Sequence, residues 1–155
     1  MSKIQDRLAA LGVVLDAPAP PVAAYAPVVI HGGLAYVSGQ LPREGGQLVK
    51  GRVGRDLTAD AAAHAARLCA IAVLAVLRQA LDDDLDRVAG CLQLNGFVAA
   101  DDGFEAHSAV INGASQLMVD VFGAAGAHAR AAIGVATLPF GVPVEVSAVF
   151  AVEAR

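Results

Sequence analysis

The chain has 155 residues, of which 56% are apolar and 17% charged, with a formal net charge of −4. That length suits one domain, residues 1–155, with a proper core. The acidic balance, with no run of Lys or Arg, excludes the broad basic footprint of a nucleic-acid binder.

So little charge implies that part of the apolar surface is covered by another subunit. The two cysteines, Cys69 and Cys91, fall in different predicted elements without CxxC spacing. They read as buried thiols of a reducing compartment, not as a disulfide or metal site. The four histidines lack the spacing of a ligand set, so no metal is expected. The first residues carry no signal-peptide apolar core. The longest uninterrupted apolar run, residues 68–77, is about half of the roughly 20 residues that a membrane span needs. A cytoplasmic protein with no membrane partner is expected.

Residues 2–11 form a short predicted amphipathic helix, with Ile4, Leu8 and Leu11 on one face and Gly12 after it. Residues 1–16 read as a helical extension of the domain. Residues 17–27 hold four prolines and predict an extended connector. Tyr25 stands in it, either as a packing aromatic or as a phenol offered to a site.

Residues 28–31 and 34–38 predict two strands joined in a tight hairpin at Gly32-Gly33. His31-Gly32-Gly33 looks like an esterase oxyanion loop, but no G-x-S-x-G elbow accompanies it. Gln47-Leu48-Val49 suggests a short edge strand. Residues 58–81 predict the main helix, with Thr58 as N-cap and only a thin polar stripe that includes His64. Asp82-Asp83-Asp84 reads as a solvated turn. Residues 87–99 predict a long strand, with Gly96 marking a bulge or a close backbone approach. Residues 108–122 predict a second helix stopped by Gly123. It carries Asn112, either a helix-start polar residue or an amide that fixes an active-site backbone. Strands over 131–136 and 144–152 close the chain. The order predicts an α+β fold, a mixed sheet with both long helices on one face.

Arg130 and Glu145 stand out because they are charges set in strand-like apolar surroundings, where charges are rare unless paired or functional. A structural reading makes them a buried ion pair bracing two neighbouring strands.

Several motifs taken together are more specific than either charge. They are Tyr25, Val37-Ser38-Gly39-Gln40-Leu41-Pro42, Gly54-Arg55-Asp56-Leu57-Thr58, Leu85-Asp86-Arg87-Val88 and Val110-Ile111-Asn112-Gly113. Arg130 with Leu138-Pro139 eight residues on, and then Val144-Glu145-Val146, complete the series. In this order the chain resembles the reactive intermediate deaminase family, RidA or YjgF, as a longer and divergent subgroup. The resemblance implies a chorismate-mutase-like fold and a homotrimer with sites between subunits. It implies hydrolysis of 2-imino or 2-enamino acids to a 2-oxo acid and ammonia, without a cofactor.

Under the resemblance, Arg130 holds the substrate carboxylate, and Tyr25, Ser38, Gly39, Asn112 and Glu145 line the same cleft. An arginine fork suits a carboxylate through two parallel hydrogen bonds. Glu145 is the only carboxylate between Asp120 and Glu153 and is the candidate for orienting water and taking its proton. Two departures bear on the substrate. Ala132 stands where the family often has cysteine, and His128 where it usually has proline. His128 either donates to substrate or caps a strand start. Two other functions compete with the deaminase. One is a non-enzymatic trimer that binds a small carboxylic acid as sensor or scavenger. The other is an endoribonuclease, against which the charge counts.

Overall fold

A computed structural model describes residues 2–20 and 23–154. Met1, Arg155 and two residues of the expected connector, Pro21 and Val22, lie outside them. Helix α1 (Lys3–Ala10) buries Leu8. Its N-terminus is capped twice. The Ser2 hydroxyl accepts from the Gln5 N–H. The Asp86 carboxylate accepts from the N–H groups of Lys3 and Ile4, both at 2.9 Å, and from the Ser2 hydroxyl at 3.0 Å. The donors that a helix start leaves without partners are thereby satisfied from a point 83 residues away in sequence.

Strands β1 (Val28–His31) and β2 (Leu34–Gln40) form the expected hairpin. Gly32 and Gly33 adopt φ +58° and +75°. This two-residue turn matches strand twist only with left-handed backbone, which glycine takes at little cost. The chain leaves the sheet after Gln40. The short strand expected at Gln47-Leu48-Val49 forms over Gln47–Leu48, outside the main sheet. Strand β3 (Arg43–Glu44) pairs only with β4 (Gln47–Leu48), as a separate two-stranded ribbon. Pro42 offers no N–H to extend β2, and Glu44 instead ties the ribbon to helix α2 through His64 at 2.8 Å.

Helix α2 (Ala59–Ala80) starts where Thr58 Oγ1 accepts from the Ala61 N–H. A window of mean hydropathy 1.7 makes it apolar enough to cross a bilayer. In the fold that character serves the core: Ala62, Ala66, Cys69, Val73 and Leu77 are all fully buried, against the sheet and helix α3 (His107–Phe122).

The sheet is completed by β5 (Val88–Ala99), β6 (Ala129–Val135) and β7 (Val144–Val152), in the order β1-β2-β7-β5-β6. All neighbours are antiparallel except β5 and β6. That pair is parallel because α3 forms the crossover between them. Gly96 is a close approach and not a bulge, since a Cβ there would lie 2.3 Å from Ile111 Cδ1 of α3. The bulges fall earlier in β5, between Val88 and Gly90 and between Cys91 and Gln93. Val144, Val146, Ala148, Phe150 and Val152 of β7 face the helices and are buried. The architecture is α+β, with both long helices on one face of a mixed sheet. The opposite face carries Val29, Tyr36 and Ile133 at 52%, 48% and 48% exposure.

Candidate functional site

Strand β6 begins two residues before the expected position and takes Arg130 into the sheet edge. Arg130 registers with the fully buried Leu94, and Ala132 with Gly96. This row of β6 therefore faces the helices. Helix α3 meets it with Ser108, Asn112 and Ser115, spaced i, i+4 and i+7 on one face. Arg130 Nη1 donates to Asn112 Oδ1 at 2.7 Å and to Ser115 Oγ at 3.1 Å. Nη2 donates to the Ser108 carbonyl at 3.3 Å. An arginine has five N–H donors. The remaining two, on Nε and Nη2, meet no acceptor among the described residues. Donors left open on a guanidinium in this way can receive a carboxylate.

His128, two residues before Arg130 and half-buried, joins the same cluster. Its Nε2 lies 2.8 Å from Ser115 Oγ and its Nδ1 lies 2.7 Å from the Gly126 carbonyl. Both ring nitrogens are thus engaged by protein.

Glu145 is elsewhere. It opens β7 opposite Phe97, on the helix-free face, while its neighbours Val144 and Val146 point into the core. Its carboxylate presses on Gly39 of β2, where a Cβ would lie 2.0 Å from Oε1. Any larger residue there would displace the carboxylate. Burial raises the Glu145 pKa above the ordinary carboxylate value. Burial first, and the Glu145 charge second, also hold the Cys69 thiol well above its usual value. Ser38, beside Gly39, donates from Oγ to the Ala26 carbonyl at 2.7 Å. This bond fixes the segment that carries Tyr25, whose ring is 52% exposed.

The candidate residues therefore form two groups on opposite faces of one sheet. Asn112, His128 and Arg130 meet between α3 and β6. Ser38, Gly39 and Glu145 meet between β2 and β7, with Tyr25 on the adjoining segment. A buried ion pair between neighbouring strands is ruled out. Strand β5 separates β6 from β7, and Arg130 is exposed and bonded to neutral acceptors. The sequence reading missed Ser108 and Ser115. The signal available was their i, i+7 spacing around Asn112 on one face of the helix.

A surface groove of about 400 Å³ beside Gly51, Arg52, Leu138 and Val142 shares no residue with either group. Arg52 is already tied to Asp101 at 2.8 Å, to the Ala136 carbonyl at 2.7 Å and to the Ala100 carbonyl. Its donors brace the turn between β6 and β7.

Residues 5–151 match the model of the family described as "YjgF/chorismate mutase-like, putative endoribonuclease". The chain is 44% identical over 148 residues to protein TCP17 of Trypanosoma cruzi, covering 94% of this chain and 92% of that one. It is similar to the crystal structure of Atu1372 from Agrobacterium tumefaciens, of unknown function. That match has 45% identity, a TM-score of 0.91, and coverage of 97% of this chain and 93% of that one. A structure from Shewanella oneidensis, named a "putative endoribonuclease", is 29% identical with a TM-score of 0.92, covering 96% and 99%.

Proposed function

The chain belongs to the YjgF/chorismate-mutase-like family, and from that premise we propose that it hydrolyses reactive 2-imino and 2-enamino acids, releasing ammonia and a 2-oxo acid. The observation that carries this reading is the Arg130 guanidinium. Asn112, Ser115 and Ser108 hold it, and the donors left over on Nε and Nη2 are open to a carboxylate.

The reaction needs little beyond placement and a base. Water adds to the C2 carbon of the protonated imine while a carboxylate takes one of its protons. The resulting carbinolamine collapses to a carbonyl, and nitrogen leaves as ammonia with the proton returned to it. Glu145 suits the proton-taking role. Its raised pKa brings its basicity closer to the working pH than that of an exposed carboxylate. Fixing the substrate carboxylate at Arg130 makes the attack on C2 effectively unimolecular.

Arg130 and Glu145 of one chain point to opposite faces of the sheet. In our reading a site is therefore completed between subunits of a homotrimer, Arg130 of one facing Glu145 of the next. The same geometry favours one competing reading, a carboxylate-binding sensor or scavenger that uses Arg130 without any base.

Freshly generated 2-imino acids with short and bulky side chains separate the two. A deaminase accelerates ammonia release from at least one of them, and Arg130→Ala removes the acceleration. Tight binding of short 2-oxo acids with no ammonia release above the uncatalysed rate would sink the deaminase reading and leave the sensor.

A further inference from the structure

The polar chain behind Arg130 has a direction, and it ends on residues to which the carboxylate reading gives no work. A Cβ on Gly126 would lie 2.1 Å from the Met118 carbonyl oxygen. Only glycine lets the 3-10 turn at Gly123–Gly126 press so closely on the main chain of α3. That contact sets the Gly126 carbonyl 2.7 Å from His128 Nδ1. A carbonyl only accepts, so Nδ1 carries a proton, and in the Nδ1–H tautomer Nε2 presents a lone pair. Nε2 lies 2.8 Å from Ser115 Oγ. The Ser115 hydroxyl therefore donates to His128, and its oxygen is left to accept the Arg130 Nη1–H at 3.1 Å.

We propose that Ser115 and His128 are positioning residues for Arg130: the chain from the Gly126 carbonyl through His128 and Ser115 fixes the donor direction of every link and so aims the guanidinium. The inference rests on the carboxylate-anchor reading of Arg130 and adds the device that pre-sets it. His128 thereby changes role, from a candidate substrate donor to a group acting through serine. Without His128 the Ser115 hydroxyl is free to turn back on its own helix, as serines in helices do. Nη1 then keeps only Asn112. The guanidinium is then held by Asn112 and by the long 3.3 Å bond to the Ser108 carbonyl, a looser hold on its rotation than with Ser115 as well. Rotation decides whether the remaining two donors meet both carboxylate oxygens or one. Side-chain pre-orientation of this kind is worth the ordering cost that binding otherwise carries.

The test has one arm independent of any ligand. In the full ¹⁵N-labelled chain, His128 is expected as the Nδ1–H tautomer, and the Arg130 guanidinium shows hindered rotation. Ser115→Ala and His128→Phe are each expected to restore free rotation, while Ser115→Thr, which keeps the hydroxyl, preserves the hindrance. A wild-type Nε2–H tautomer, or an Arg130 equally ordered in both variants, overturns the proposal.

The second arm uses 2-oxobutanoate as the probe. Ser115→Ala and His128→Phe are each expected to weaken its binding about tenfold, the scale of one oriented charged hydrogen bond. In turnover of 2-imino acids the same variants should raise KM more than they lower kcat. The double variant should bind no worse than His128→Phe, because both cut one chain. Additive losses, or none, overturn the positioning role. If Arg130→Ala binds 2-oxobutanoate as wild type does, the anchor reading fails instead, and the first arm still decides whether the chain orients the arginine.

Discussion

At the scale of single residues, Arg130 and Glu145 make opposite demands on stability and function. Arg130 is exposed and bonded only to neutral acceptors, so removing it strands no buried charge. Arg130→Ala is expected to melt near wild type while losing about 2–5 kcal/mol of carboxylate recognition. Arg130→Lys keeps the charge but not the fork, and most of the loss remains. Calorimetric melting beside titration with a 2-oxo acid checks both halves. A large drop in melting temperature with binding intact would return Arg130 to a structural role.

Glu145 makes the pH claim. Its folded pKa is raised by burial, so the folded chain holds that proton more tightly than the unfolded chain does. Stability therefore falls as pH rises from the unfolded carboxylate value through the raised folded value, and Glu145→Gln removes that slope. Ammonia release should move the other way, increasing with pH over the same window as the base ionises. A pH–rate profile unchanged by Glu145→Gln rules out its catalytic role. Both charges were legible in the sequence because each interrupts a β-branched or small-residue run. Ser115 was passed over, since a helix hydroxyl looks like surface until its distance from His128 is known.

Among the elements, α1 shows most clearly what periodicity can and cannot reach. Its amphipathic face was readable from Ile4, Leu8 and Leu11. Its anchor was not, because Asp86 is remote in sequence and only folding brings it to the first turn of the helix. Some desolvation opposes ionisation of Asp86, but the amides of Ile4 and Lys3, the Ser2 hydroxyl and the Lys3 charge prevail and lower its pKa. The stability it lends is therefore present above the unfolded carboxylate pKa and is lost as pH falls through the lowered folded value. Asp86→Ala is expected to cost about 1–2 kcal/mol, the scale of a lost cap, and to loosen α1 while leaving the sheet intact. Hydrogen exchange reads this directly. Protection should vanish over residues 3–10 and persist over β5 and β7. Unchanged protection in α1 would mean that Leu8 packing, with the Arg7 bond to the Asp120 carbonyl at 2.7 Å, suffices without the cap.

Strand assignments followed the same division. The hairpin at Gly32-Gly33 was fixed by local turn chemistry. The short strand at Gln47–Leu48 was legible but its pairing with β3 was not, because that depends on how the chain leaves β2 at Pro42 and on the Glu44–His64 contact. Those are tertiary facts. The parallel pairing of β5 and β6, which carries Arg130 to the sheet edge, follows from the α3 crossover and has no signature in either strand alone.

For the whole molecule, the decisive fact is that one sheet separates the two halves of the candidate site. Arg130 looks toward α3 and Glu145 toward the helix-free face. That face exposes about half of Val29, Tyr36 and Ile133, an apolar surface of the kind that marks association. A chain with only 17% charge has few groups with which to solvate it. The homotrimer that we propose answers both problems at once, by covering the apolar face and bringing Arg130 and Glu145 of different subunits together. The assembly and the activity should then fail together. Tyr36→Asp places a carboxylate in the covered face, and burying it unpaired costs several kcal/mol at roughly the scale that splits an interface. Sedimentation of the wild type at micromolar concentration is expected to give a trimer, and of Tyr36→Asp a monomer. The monomer should keep its fold, since Tyr36 lies outside the core, and keep Arg130 and Glu145 unchanged, yet release no ammonia from 2-imino acids. A Tyr36→Asp monomer with wild-type turnover would show that one chain suffices, and the division of the site between subunits would have to be abandoned.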